Sequence, residues 1–188
     1  AGQGGQTRDP ARRAYIPATV LKSLNLRYDA VEDRIVLRLV ADDAEPWLQL
    51  TRRVCMQWRL DLQTLVDASA QVPQGMSPTA RAGISSEHHR AMAAQATVRK
   101  LPNEAPASPA VVPKLVTGIA CGKQRSDGRW IVRFTARDGG HWDVLLTGES
   151  LHGLVEVLNT QVQAANWALP PMPLQTEAPR GPGPSPLH

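Results

Sequence analysis

Residues Arg34 to Ser69, RIVLRLVADDAEPWLQLTRRVCMQWRLDLQTLVDAS, decide the fold, because their pattern returns between Arg129 and Ala165. A displacement of 95 positions sets Arg34 on Arg129, Arg38 on Arg133, Asp43 on Asp138, Trp47 on Trp142 and Leu50 on Leu145. It also sets Leu24 on Ile119 and Leu26 on Cys121. After the third segment the best displacement is 96, with Cys55 on Leu151, Trp58 on Leu154, Leu62 on Leu158 and Val66 on Val162. The earlier segments alternate apolar and polar residues in the manner of strands, whereas the last recurs at helical spacing. Each unit therefore reads strand, strand, strand, helix, and a repeat of this kind marks a duplicated supersecondary unit.

In the first unit Leu24, Leu26 and Tyr28 share one strand face and Ile35, Leu37 and Leu39 another, with Asn25, Arg27, Arg34 and Arg38 opposite. In the second, Trp130, Val132 and Phe134 take the apolar places and Arg129 and Arg133 the polar ones. Such strands are half-buried, as in an antiparallel meander covered on one side, and the following helix supplies the cover. Ser126-Asp127-Gly128 and Asp138-Gly139-Gly140 are suited to tight hairpins because they tolerate positive φ. Val31-Glu32-Asp33 and Asp42-Asp43-Ala44 are less typical turns. Alternation leaves both faces open for Trp47: it faces the core with Gln49, or it faces out while Leu48 and Leu50 go in.

The chain has 188 residues, with 16 Pro and 14 Gly concentrated outside the repeats. Units of about 50 residues are marginal alone, so the two are expected to share a core. The formal charge of +4 is uneven: residues 1 to 14 carry three Arg and one Asp, 15 to 69 carry seven basic and eight acidic residues, and 70 to 114 carry five and two. The rest balances. Duplex-binding modules cluster Lys and Arg on the folded part, which is neutral here. Cys55 and Cys121 both occupy apolar positions and read as buried thiols. There is no CxxC pattern, no apolar run long enough to span a membrane and no secretion signal, so the setting expected is cytoplasmic and of bacterial type.

The organisation expected is a flexible arm (1–14), a first unit (15–69) whose helix opens at Thr51, a linker (70–114), a second unit (115–168) and a Pro-rich, polyproline-like tail (169–188). The linker carries a short helix near 86–100, opened by Ser85 or Ser86 and lying exposed or on a partner. The fold class is α+β: two β-β-β-α units, each an antiparallel meander with a covering helix, packed with pseudo-twofold symmetry, with disordered ends.

Candidate chemistry is thin. His88, His89 and Met92 are spaced for a soft metal but fall short of a structural zinc set, and a solvated helix face is the plainer reading. His141, Asp143, His152 and Cys121 sketch a thiol and imidazole pair, yet the first unit has Pro46, Leu48 and Met56 at the places equivalent to the first three. Glycine-rich phosphate loops, GxSxG and HExxH are absent. Gly118 and Gly122 mark a bulge or close backbone approach within a strand. No cofactor, no metal and no catalytic residue are expected.

What recurs is an Arg pair beside a Trp, and these residue types supply much of the binding energy at protein interfaces. The function expected is a non-catalytic interaction module that binds a protein partner, or itself, through Arg34, Arg38, Trp47, Arg52, Arg53, Arg129, Arg133 and Trp142. Arg52 and Arg53 stand out because cations are disfavoured at a helix N-terminus, where the macrodipole is positive. They are expected to meet an acidic partner or a carboxylate of the other unit. The alternative is a nucleic-acid binder using Arg81, Arg90, Arg99 and Lys100 with the N-terminal arm.

Overall fold

The computed structural model describes residues 18–41, 45–73, 75–96, 99–100, 111–123, 127–169 and 172. The expected N-terminal arm, residues 101–110 of the linker, and the tail apart from Leu169 and Met172 lie outside the described residues. The chain is mixed α+β, running β1 (Thr19–Val20), β2 (Ser23–Asp29), β3 (Arg34–Val40), β4 (Trp47–Leu50), α1 (Arg52–Ser69) and α2 (Pro78–Ala94). Then follow β5 (Arg99–Lys100), β6 (Lys114–Lys123), β7 (Trp130–Ala136), β8 (His141–Leu146) and α3 (Gly148–Ala164).

Strand formation follows the alternation. In the antiparallel pair β2–β3, Leu24, Leu26 and Tyr28 lie opposite Leu39, Leu37 and Ile35, and all six contribute to or pack against the core. The turn between them is closed by aspartates: the Asp29 carboxylate accepts from the N–H groups of Val31 and Glu32, and Asp33 takes a positive φ of 48°. Short polar side chains do here what glycine does elsewhere. In the second half Gly128 and Gly139 take φ of 72° and 83°, as their turns require. The β6–β7 ladder slips between Val116 and Gly118, a bulge at one of the two expected glycines. Gly122 has room for ordinary contact, the nearest atom to a Cβ there being Ile131 Cγ2 at 3.7 Å.

The strands form one sheet in the order β1-β8-β7-β6-β4-β3-β2-β5. The halves join where β4 runs parallel to the start of β6, with Leu48 opposite Lys114 and Gln49 opposite Leu115. At the other end β1 runs parallel to β8, with Thr19 opposite Val144 and Val20 opposite Leu145. Only Leu21 and Lys22 separate β1 from β2. One stretch of chain therefore lies near both ends of the order, and the sheet curls.

The helices are exchanged. α1 packs against β6 of the second half and α3 against β2 of the first. Trp58 of α1 is fully buried and meets Phe134 of β7 edge to face, with ring centroids 5.3 Å apart. In return the Tyr28 N–H donates to Gln161 Oε1 at 2.9 Å. Past α3, the Trp167 indole stands edge-on to Tyr28 at 5.9 Å and donates through Nε1 to Asp33 at 2.6 Å. One cluster of buried side chains serves both halves.

One open alternative is decided and one expectation needs correction. Arg38 lies opposite Trp47, but Arg133 lies opposite Asp143 and Phe134 opposite Trp142. Residues opposed in a ladder share a face, so Trp142 packs against the core while Trp47 sits on the face away from the helices. Leu48 and Leu50 go in. The β7–β8 ladder thus pairs in a register one residue removed from the one that a displacement of 95 positions from β3–β4 would give. Secondly, α2 opens at Pro78, ahead of the expected region, and ends at Ala94. The Ser77 hydroxyl caps it by accepting from the Ala80 N–H at 3.3 Å, and proline is well placed at a first helical position, where no N–H is needed. Ser85 and Ser86 are buried within it.

Trp58→Ala removes the contact that seats the first helix on the second half. The expected cost is about 3–5 kcal/mol, read as a fall in the urea midpoint of the full chain; an unchanged midpoint would show that this contact carries little.

Candidate functional site

The helix-distal sheet face holds several of the expected binding residues, but most are engaged locally. Arg34 donates to Gln49 Oε1 at 2.8 Å. Arg38 pairs with Glu45 at 2.7 Å and lies over the Trp47 ring at 5.2 Å. Its stem and guanidinium help cover that indole, which is only 7 % exposed. Arg129 meets Asp127 at 3.4 Å. Arg133 grips the buried Asp143 with two bonds, of 2.6 and 2.5 Å, the bidentate geometry of a strong pair. An Arg pair beside a Trp is thus assembled on this face in the first half alone.

On α2, Arg81 borders a groove toward Asp67 of α1 and Arg90 pairs with Glu87 at 2.7 Å. Nine positions make about two and a half helical turns, so these two arginines lie on opposite sides and form no basic stripe. The side chains of Arg99 and Lys100 lie outside the described residues.

The proposed thiol and imidazole grouping is dispersed: Asp143 belongs to Arg133, whereas His152 is enclosed among helices. Burial pushes the Cys55 thiol up to about 12 and does the same to Cys121, with the negative charge of Asp61 adding. Raised thiols are poor nucleophiles. No group of three or more His, Cys, Asp or Glu suited to a metal occurs among the described residues.

The linker histidines are not a solvated face. His89 Nε2 lies 2.7 Å from Glu156 Oε1, its Nδ1 lies 2.7 Å from Nδ1 of His152, and His152 Nε2 lies 2.9 Å from Ser69 Oγ. This chain ties the end of α1 to α2 and α3. Its partners are far apart in sequence, and the only local sign was histidine on the buried stripe of α3. With both rings neutral, His89 donates to Glu156, His152 to His89, and Ser69 to His152. One added proton on His152 turns round the bond to Ser69 alone: Nε2–H then donates to Oγ, leaving the Ser69 hydroxyl to donate to the Val66 carbonyl at 2.8 Å. A second proton would set N–H against N–H.

α2 packs closely here: a Cβ on Gly153 would come within 2.7 Å of the Ala96 Cβ. At the corresponding places on α1, displaced by 96, stand Arg52 for Gly148, Met56 for His152, Gln57 for Gly153 and Leu60 for Glu156. Among the described residues that surface of α1 is exposed. Thr51 caps the helix, accepting from the Val54 N–H at 3.4 Å, and no acidic residue occupies the first turn. Arg52 and Arg53 are exposed without an ion pair among the described residues, although Arg52 helps to lower the Asp33 pKa behind the larger effects of hydrogen bonds from Trp167 and Tyr28. Met56 is 45 % exposed and Leu60 59 %. A cleft of about 260 Å³ runs beside them, lined by Arg53, Met56 and Gln57 and by Thr117, Gly118 and Ile119 at the β6 bulge.

Compared with protein-family models, with curated proteins and with solved structures, the chain matches none. No helix among the described residues is long and apolar enough to cross a membrane.

Burial, with His89 and His88 adding, drives the His152 pKa down to about 4 from 6.5, against a smaller opposing pull from Glu149. Between those values the unfolded chain binds the extra proton, so folding stability is lost as pH falls from 6.5 to 4. That loss amounts to about 3 kcal/mol. Urea midpoints measured across this range should fall, and should fall less in His152→Gln; equal slopes in both proteins would contradict the assignment.

Proposed function

We propose that the chain is a non-catalytic interaction module whose principal docking surface is the N-terminal half of α1, and that its partner presents an acidic amphipathic helix. Arg53, Met56 and Leu60 follow one another at three and seven positions, hence on one helical face. The positive end of the α1 macrodipole reinforces Arg52 and Arg53, a setting that suits carboxylates. An occupied counterpart supports this reading: α2 covers the corresponding places on α3. The carrying observation is the absence of any ion pair for Arg52 and Arg53 among the described residues, beside two exposed apolar side chains. Arg34 and Arg38 mark a lesser second surface for the same partner or a second copy, since both are bonded within the sheet face and Arg38 covers Trp47. A reducing, cytoplasmic setting accords with two unpaired thiols.

The two halves are, on this reading, copies of one β-β-β-α unit related by a pseudo-twofold. Support comes from the ladders. Leu24 opposite Leu39 recurs as Ile119 opposite Phe134, and Thr19 opposite Val144 recurs as Lys114 opposite Leu48. The copies have diverged at the helix surface, where α3 carries Glu149 in its first turn and α1 carries arginines.

Arg52→Glu/Arg53→Glu separates binding from folding. Complementing the helix dipole should raise stability by about 0.3–1 kcal/mol per site, while a protein complex captured from the native host should weaken at least tenfold. Leu60→Glu should weaken it too. A nuclease-resistant complex that survives both changes, or a complex lost on nuclease treatment, would overturn the proposal.

A further inference from the structure

A separate feature lies between the middle of α1 and the end of α3. Arg59 is only 6 % exposed, because it falls on the same stripe of α1 as Cys55, Trp58 and Leu62. Its Nε donates to Asn159 Oδ1 at 3.2 Å, and Asn159 is itself buried. Among the described residues no carboxylate comes within ion-pair distance of it. Arg59 also lines a cleft of about 250 Å³ whose other walls include Val162, Gln163, Asn166, Trp167 and Leu169.

A buried cation without a counter-charge is costly, and burial accordingly lowers the Arg59 pKa. Arginine stays protonated regardless. Two residues of the cleft wall add to the cost: Asn166 and Ala168 have φ of 50° and 51°, a left-handed conformation unfavourable for alanine. The Trp167 side chain between them is pinned to Asp33 and Tyr28, as described above. A planar fork of donors, a single positive charge and a mixed wall on which Val162, Trp167 and Leu169 are the apolar part together define the kind of group the cleft suits. Phosphate in its dianionic form would leave one negative charge uncompensated, whereas a carboxylate balances the guanidinium and matches its bidentate geometry.

We propose that the Arg59 cleft is a carboxylate-binding site, taking a monoanionic carboxylate borne on a small apolar body. The carboxylate belongs either to a free organic acid or to a side chain or terminus of a bound peptide. The site stands apart from the α1 docking surface and does not depend on it.

Titration of the full chain with benzoate, with a Leu- and Glu-containing peptide, and with inorganic phosphate at matched ionic strength tests this. The readouts are the Arg59 Nε–H resonance and the melting temperature. At least one of the two carboxylate probes should shift the resonance saturably at roughly millimolar concentration and raise the melting temperature, and phosphate should do neither. A response to benzoate assigns the site to free acids; a response to the peptide alone assigns it to peptide carboxylates. The response should persist in Arg52→Glu/Arg53→Glu and vanish in Arg59→Met. In ligand-free buffer Arg59→Met should melt no lower than the parent, since an apolar isostere relieves the buried charge. Failure of both carboxylates to shift the Arg59 resonance, or an equal response to phosphate, overturns the proposal even if Arg59→Met does not fold.

Discussion

The seating of each helix on the opposite half of the sheet is the constraint from which the rest follows. A three-stranded meander leaves one apolar face uncovered, and here its cover comes from the other half. Trp58 closes over Phe134, and Gln161 of α3 returns the exchange by accepting the Tyr28 N–H. Small units bury too little surface to be stable alone. Sharing one core turns two marginal units into one, and the parallel β4–β6 pairing stitches the sheet together.

This exchange also determines which helix surfaces are covered. The helices lie against each other through Arg59 and Asn159, which leaves one surface on each side of the crossing. On one side α2 fills the space, held by the histidine chain and by close approach at Gly153. On the other, α1 presents Arg52, Arg53, Met56 and Leu60 to solvent, with the Arg59 cleft nearby. The same fold thus carries a closed face and an open one. The difference rests on side chains: Gly148, His152, Gly153 and Glu156 on α3 against Arg52, Met56, Gln57 and Leu60 on α1.

Much of this was legible in the chain. The strand faces, the Thr51 cap, the hairpin glycines and the strand-strand-strand-helix order all follow from local spacing. Alternation left the face of Trp47 open: Trp47 and Trp142 align by identity, yet the ladders place them on opposite faces, with Trp47 opposite Arg38 and Trp142 opposite Phe134. Ser85 and Ser86 read as the opening of the linker helix, although Ser77 followed by Pro78 is the stronger start, since proline suits a first helical position. No local signal shows which helix covers which strands, nor that His89 reaches His152, since those contacts are decided by packing between distant segments. Arg59 was different. It stood on the apolar stripe of α1, and a charged residue on such a stripe is a sign that was available.

Native-state amide hydrogen exchange on the full chain tests the shared core most directly. If each helix stabilises the other half, the slowest amides of β2–β3 and of β6–β7 must open with one common free energy, equal to that of global unfolding. Exchange of one of these hairpins at a markedly lower free energy, while the other stays protected, would contradict the account.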